Sequence, residues 1–193
     1  MDRAPAGVEA GPRPAGTSAA APGFYDVVFR RRDVRAEFTG EPVDPDVLRR
    51  VLEAAHAAPS VGLSQPWDFV LVTERARLRR LSEVWVGARH VAGSAATIAL
   101  IAPLHDELRE QELVQYDLGQ ATMSIMLAAA DLGIGSGHSA VGDQDLAREL
   151  LGFPPDRFCA YLVALGHPAG RPLAPLRRIN RRPFDEVVHR GRW

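Results

Sequence analysis

The chain of 193 residues contains one cysteine, Cys159, so no disulfide can form within it. Such sparse cysteine is typical of a reducing compartment. No apolar run is long enough to cross a bilayer, because the longest, at 95–103, has the length of a buried strand. The formal net charge of −1 excludes a general attraction to nucleic acid or to an anionic membrane. The N-terminus also lacks a secretory leader pattern, so we predict a cytoplasmic protein without nucleic-acid or membrane partners.

Several kinds of chemical site are also missing from the pattern. The six histidines lack the spacing of metal-ligand pairs such as HxxxH, so no metal site is predicted. No pair of carboxylates has a spacing that identifies a glycosidase or a protease. The aromatic residues do not alternate with the basic segments as they do in proteins that bind single-stranded nucleic acid.

The composition divides the chain into a tail and one domain. Residues 1–22 are dominated by alanine, proline and glycine, and they bury too little apolar surface to offset the entropy of ordering. We predict a disordered tail there and a single folded domain at 23–193. Its last stretch, 168–193, has no clear period and is too long for an unstructured loop in a compact monomer. We expect this extension to pack on the surface of a partner subunit.

Helical and strand patterns alternate through the domain. Apolar periodicity predicts helices at 24–32, 45–58, 76–85, 112–132 and 144–151, and strands at 67–73, 95–102 and 158–165. Asp44 and Asp143 are predicted N-caps, with Pro45 at a first helical position. Interleaved helices and strands predict a three-layer α+β or α/β domain.

The arginine segment, residues 30–35, holds four arginines in six residues. Arginine binds phosphate through forked, charge-assisted hydrogen bonds, so the segment fits either a phosphate site or a solvated basic face. Asp33 lies among these arginines, either as their counter-ion or as an acid/base group. Two further arginine pairs, at 177–178 and 181–182, fit a second clamp on the same phosphate or a basic tail.

Two loops complete the set of candidate segments. In the 58–67 loop (APSVGLSQPW), backbone amides, Ser60 and Gln65 are suited to bind a planar heterocycle, or the loop simply connects a helix to a strand. The glycine segment at 133–140 (GIGSGHSA) follows a long helix instead of opening one, which argues against a dinucleotide-binding loop. Its glycines favour either close approach to a flat ligand or tight entry of a strand.

These four segments occur in the same order and with similar spacing in the flavin-dependent nitroreductase superfamily, which the chain resembles over 24–193. RRDVRAEF and APSVGLSQPW resemble its 5,6-dimethylbenzimidazole synthase branch, the flavin destructases that use O2 to break reduced FMN. The resemblance implies an α+β, three-layer α/β/α fold with a mostly antiparallel central sheet flanked by helices. It also implies a domain-swapped homodimer that binds FMN and a small-molecule substrate, with NAD(P)H as an electron donor.

The resemblance assigns site residues position by position. Asp33 matches the destructase aspartate, and we predict Asp33 and Ser139 as catalytic residues. The 59–61 stretch matches a loop that reaches the flavin of the neighbouring subunit. The implied cofactor-binding residues are Arg31, Arg32, Asp33, Val34, Arg35, Pro59, Ser60, Val61, Ser139, Ala140 and Arg181.

The chain departs from the destructase pattern at two places, residue 140 and the lid, and from the wider superfamily pattern at Leu63. Ala140 stands where destructases carry a serine, and Ser139 is one residue early and faces the opposite side of an extended chain. The lid insertion expected between 85 and 95 is short, and Leu63 replaces a superfamily asparagine, as an apolar residue does in destructases. The resemblance still favours an O2-dependent enzyme that converts reduced FMN to 5,6-dimethylbenzimidazole. One alternative is an NAD(P)H-dependent nitro, quinone or ene reductase with bound FMN, and a second is a non-enzymatic flavin-binding protein.

Overall fold

The computed structural model describes residues 23–35, 38–175 and 181–193. The predicted tail at 1–22 and the arginine pair at 177–178 therefore lie outside the described residues. The helices are α1 (Phe24–Arg30), α2 (Pro45–His56), α3 (Arg75–Leu81), α4 (Leu108–Asp131), α5 (Gln144–Leu151) and α6 (Phe184–Val187). Two 3-10 segments, Val61–Leu63 and Val86–Gly93, lie between them. In the described part of the chain, no helix combines the length and the apolar character that a membrane crossing requires.

A single four-stranded sheet forms the centre of the domain. Its strands are β1 (Asp68–Val72), β2 (Ala96–Pro103), β3 (Gly135–Ala140) and β4 (Arg157–Gly166). They lie in the order β1-β2-β4-β3, and every neighbouring pair is antiparallel. The expected antiparallel sheet with flanking helices is confirmed.

Two apolar clusters cover the two faces of this sheet. Buried side chains of α2 and α4 pack on one face, and buried side chains of α3, α5 and the Val86–Gly93 segment pack on the other. The central strands β2 and β4 are almost continuously buried, as strands covered on both faces must be. The observed arrangement is thus the predicted three-layer α+β domain.

Local signals fixed the helix starts better than the helix ends. The carboxylate of Asp44 accepts the backbone N–H of Asp46, and that of Asp143 accepts the N–H of Leu146, so both predicted N-caps are confirmed. The first helix ends at Arg30 instead of Arg32, which leaves the following residues in extended chain.

Two elements differ from the prediction in kind. The glycine segment was not predicted as a strand, because β-propensity disfavours glycine, yet it forms β3 at the edge of the sheet. The helix predicted at 76–85 already ends at Leu81, and the chain continues into the separate 3-10 segment Val86–Gly93.

Candidate functional site

The extended chain after α1 adds to the free edge of the sheet. Asp33 forms a parallel bridge with Ser136 of β3, and the N–H of Val34 donates to the carbonyl of Ser136 at 2.8 Å. Side chains alternate along extended chain, so Asp33 and Arg35 point to one side and Val34 to the other. Val34 is buried, whereas Asp33 and Arg35 remain partly exposed.

The glycines of β3 give this segment its close approach. A Cβ atom on Gly137 would lie 2.3 Å from the carbonyl oxygen of Val34, and one on Gly135 would lie 3.0 Å from the Val34 side chain and 2.9 Å from Pro168. A side chain is therefore excluded at Gly137, where the clash is with a backbone atom, whereas at Gly135 the neighbouring side chains would have to shift. Of the two readings offered for the glycine segment, tight entry of a strand accounts for these two glycines.

The arginines of the arginine segment have different tasks. The guanidinium of Arg30 donates to the carbonyls of Ala130 at 2.7 Å and Asp131 at 3.3 Å, at the C-terminus of α4. Cations are favoured at that end of a helix, so Arg30 belongs to the scaffold. The guanidinium of Arg32 donates to the carbonyl of Arg171. The predicted segment is therefore more than a solvated basic face.

A cleft of about 510 Å³ opens where this segment meets the chain after β4. Its lining residues are Arg32, Asp33, Val34, Arg35, Pro168, Gly170 and Arg171. The lining contains three arginines and one carboxylate residue, so it carries an excess of positive charge. The volume lies within the roughly 300–1,000 Å³ of small-molecule sites, and the charge excess suits a phosphate group.

The carboxylate of Asp33 has a partner on each oxygen. Its Oδ1 lies 3.1 Å from Nδ1 of His138, and its Oδ2 lies 3.6 Å from Nη2 of Arg35. Both readings of Asp33 thus have a physical counterpart, a counter-ion for arginine and a carboxylate positioned for proton chemistry. His138 was not among the predicted site residues. The alternation of β3 was the available signal, since it puts His138 on the same face as Ala140.

The two other candidates on β3 face opposite sides. Ser139 is buried, and its Oγ has no hydrogen-bond partner among the described residues, whereas Ala140 is exposed. The expectation that Ser139 points away from the face of Ala140 agrees with this pattern. The structure therefore brings Ala140 and His138, but not the Ser139 hydroxyl, to the side of Asp33.

A buried histidine lies beneath β3. Nε2 of His90 donates to the carbonyl of Gly137 at 3.1 Å. Burial lowers the pKa of His90, the charge of Arg35 lowers it further, and the hydrogen bond to Gly137 opposes the shift. The neutral imidazole is therefore the form that supports β3 from below.

The predicted 59–61 stretch is positioned by a different anchor. The backbone N–H of Val61 donates to both carboxylate oxygens of Asp117 at 3.1 Å, and Asp117 on α4 is only 1% exposed. The hydroxyl of Ser60 accepts the N–H of Gln65 at 3.0 Å. Pro59 is exposed and Ser60 is partly exposed. Among the described contacts, none joins this loop to Asp33 or the arginine cleft.

The remaining predicted contacts lie at the start and the end of the domain. Arg31 is partly exposed just after α1, and Arg181 is exposed beyond the undescribed residues 176–180. Neither side chain takes part in the hydrogen bonds or ion pairs found among the described residues. Their role toward a phosphate stays a prediction.

Comparison with known proteins fixes the family. The sequence pattern described as the Nitroreductase family matches residues 28–90 and 83–167. These two stretches contain the Asp33 bridge, the 59–61 stretch and all of β3. The chain belongs to the nitroreductase family.

Relatives of this nitroreductase carry two kinds of name. The 5,6-dimethylbenzimidazole synthase of Rhodospirillum rubrum is 31% identical, over 84% of this chain and 92% of that protein. An NADH dehydrogenase of Thermus thermophilus is 29% identical, over 83% and 92%. The FMN-dependent nitroreductase of Clostridium difficile shares the fold with a TM-score of 0.76, at 21% identity over 88% of this chain and 99% of that one. The protein is thus a flavin-dependent oxidoreductase of this family.

The arginine cleft fits the phosphate end of FMN. The excess of guanidinium over carboxylate is what a phosphate monoester requires, and the Arg35 side chain remains half-exposed beside its ion-pair partner Asp33. Arg32 and Arg35 both line this cleft, and their role toward a phosphate stays a prediction. The family and the charge of the cleft agree on FMN as the cofactor.

Proposed function

We propose that this nitroreductase is an NAD(P)H-dependent reductase that keeps FMN bound and passes its electrons to a quinone, nitro or activated alkene substrate. The observation that carries this proposal is the Val86–Gly93 segment, which occupies the place where a lid was expected. Ala88, His90 and Val91 of this segment are buried in the core. A segment fixed in this way cannot close over a flavin, so the substrate face stays open.

An open face suits hydride transfer better than flavin destruction. Breaking the flavin with O2 requires a site that keeps bulk water from reactive intermediates. Hydride transfer needs only a positioned cofactor and room for the acceptor. Ala140 adds to this argument, because its methyl group has no hydroxyl to assist proton transfers where destructases carry a serine.

The residues of the chain bind and orient in this proposal. Arg32 and Arg35 hold the phosphate, and Ala140, which is exposed on the side of Asp33, contacts the flavin. FMN, when bound, would supply the hydride transfer between NAD(P)H and the substrate. The 59–61 stretch, fixed by Asp117, reaches the cofactor of a second subunit, and Arg181 of that subunit completes the site.

Exposed apolar side chains support the homodimer. On α1, the ring of Tyr25 contacts Phe24 edge to face and stacks on Phe29, and the three side chains are 72%, 69% and 59% exposed, respectively. Tyr116 on α4 and Trp193 at the chain end are exposed as well. Exposed apolar groups of this kind mark protein interfaces. A second copy of the chain is the partner that buries them in this proposal.

The phosphate site is tested by an arginine substitution. Arg35→Ala removes one charge-assisted contact, so we expect FMN affinity to fall roughly tenfold or more, measured by quenching of flavin fluorescence. Arg77→Ala is the matched control, because Arg77 has a similar exposure and the same 3.6 Å distance to a carboxylate, that of Glu74. Equal affinity of both variants would contradict the assignment.

The reaction is tested by anaerobic addition of NADH or NADPH to the FMN-loaded protein. We expect the flavin absorbance to bleach, to return on addition of a quinone, and to leave intact FMN by mass spectrometry. Failure of both nicotinamides to bleach the flavin would contradict the proposal.

The second candidate is the flavin destructase. It is favoured by Asp33, which matches the destructase aspartate, and by the 31% identity to the Rhodospirillum rubrum synthase. Aerobic incubation with reduced FMN, followed by mass spectrometry, separates the two reactions. Formation of 5,6-dimethylbenzimidazole would establish the destructase, whereas oxidised FMN and peroxide alone would exclude it.

A further inference from the structure

The contact between Asp33 and His138 determines how the histidine ring presents its nitrogens. Oδ1 of Asp33 lies 3.1 Å from Nδ1 of His138. An ionised carboxylate only accepts hydrogen bonds, so the proton between the two atoms lies on Nδ1. In the neutral ring Nε2 then carries a lone pair, and in the protonated ring it carries a second proton. Nε2 is therefore the nitrogen that gains and loses a proton.

The position of the ring leaves Nε2 accessible. The side chain of His138 is 39% exposed, and no described residue makes a hydrogen bond to Nε2. Alternation along β3 and the arginine segment puts His138 on the same side as Asp33 and Arg35, which line the cleft. A ring held by a carboxylate, with its other nitrogen free beside a ligand cleft, has the arrangement of a general acid/base.

We propose that Asp33 and His138 form one acid/base unit, in which Asp33 positions the ring and Nε2 of His138 exchanges the proton with the substrate. This proposal rests on the reductase function proposed above. Reduction of a quinone to a hydroquinone takes up one hydride and one proton. The hydride would come from NAD(P)H, with FMN, when bound, supplying the transfer. The Nε2–H bond breaks as the second O–H bond of the hydroquinone forms, and water returns a proton to Nε2.

The unit gives Asp33 a task that does not require flavin destruction. Asp33 accepts the Nδ1–H of the ring and so fixes its tautomer and orientation, as the carboxylate does in a Ser-His-Asp triad. Asp33 is then a positioning residue. This unit also does not need a hydroxyl at residue 140, because the proton donor lies two residues before Ala140 on the same face of β3.

A second carboxylate–imidazole pair in the chain provides a matched control. Nδ1 of His105 lies 3.1 Å from Oε2 of Glu110, and the His105 side chain is 34% exposed, close to the 39% of His138. This pair lies at the start of α4, and neither residue lines the arginine cleft. A general effect of losing a surface imidazole would therefore appear equally in both pairs.

The decisive variant is His138→Gln, with His105→Gln as its control. Glutamine can still donate a hydrogen bond to Asp33, but it cannot exchange a proton. We expect reoxidation of the reduced enzyme by a quinone to slow roughly 100-fold in His138→Gln, within the range of general acid catalysis. Reoxidation by ferricyanide takes up no proton and should keep its rate, and His105→Gln should change neither. An equal loss with both oxidants, or no loss with the quinone, would overturn the proposal.

A measurement without flavin tests the arrangement itself. Long-range ¹H–¹⁵N correlation spectra of the apoprotein should show the neutral ring of His138 protonated at Nδ1, and Asp33→Asn should shift the ring toward the Nε2–H form. A wild-type ring protonated at Nε2 would overturn the unit. If neither nicotinamide reduces the flavin, the proposed reductase fails, but dithionite-reduced enzyme still reports on the quinone step. The two failures are therefore distinguishable.

Discussion

The segment that carries Asp33 and the loop that carries Val61 are both irregular chain beside regular structure, but they are held in opposite ways. The first pairs with the edge of the sheet through Val34, over glycines that leave no room for a side chain. The second depends on one buried carboxylate, that of Asp117. Close packing along a strand fixes a segment at many points, whereas a single anchor fixes a loop at one.

The backbone of this loop is also strained. Gly62, Leu63 and Gln65 all have positive φ values, of 59°, 59° and 47°. Leucine and glutamine rarely adopt that conformation, and each such residue costs about 1–2 kcal/mol. The loop thus combines a strained backbone with one buried charged anchor among the described residues.

Gly137→Ala should produce the largest effect, because it breaks the close-packed region. The added Cβ would meet the carbonyl oxygen of Val34 at 2.3 Å, a backbone atom that cannot move without displacing Asp33. We expect a loss of about 3 kcal/mol in the free energy of unfolding, measured by urea denaturation. Flavin affinity should fall with it.

Gly93→Ala is the control for this substitution, because nothing lies within 4 Å of its added Cβ and its φ is not positive. We expect a change within about 0.5 kcal/mol. Equal stabilities of the two variants would show that the segment is not packed against β3 as described.

Asp117→Ala tests the single-anchor region and should cost about 2 kcal/mol, because the N–H of Val61 loses a charged acceptor. Hydrogen exchange should accelerate at the Val61 amide and remain slow at the Val34 amide, whereas Gly137→Ala should do the reverse. Asp145→Ala removes an exposed carboxylate paired with Arg148 and should cost less than about 1 kcal/mol. Faster exchange at both amides in Asp117→Ala would show that the two regions are coupled.

The sequence predicted the features that arise from local signals. The N-caps Asp44 and Asp143 act on the residues that directly follow them, and the buried strands β2 and β4 are continuous apolar runs. The resemblance supplied the family and the expectation of a mostly antiparallel sheet flanked by helices. These features need no knowledge of how distant parts of the chain meet.

Contacts between residues far apart in the sequence could not be predicted, because they depend on how distant parts of the chain meet. Asp33 and His138 are separated by 105 positions, and Val61 and Asp117 by 56. Only the sheet order brings the first pair together, and the glycines hid the strand that carries His138. Asp33 could therefore be recognised as a candidate from the sequence, but its partner His138 could not.

The smallest expected effect concerns His90, the support of the close-packed region. Its pKa is lower in the folded than in the unfolded chain, so the unfolded state takes up a proton first as the pH falls below about 6.5. The contribution of His90 to the free energy of unfolding is therefore complete above that pH and decreases as the pH falls toward the pKa of the folded state. His90→Gln, which keeps a donor for the Gly137 carbonyl, should weaken the decline of the melting temperature between about pH 7 and pH 5. His56→Gln, at an exposed position, should leave the wild-type decline unchanged. If the His90→Gln variant keeps the wild-type decline, His90 is not the buried neutral group beneath β3.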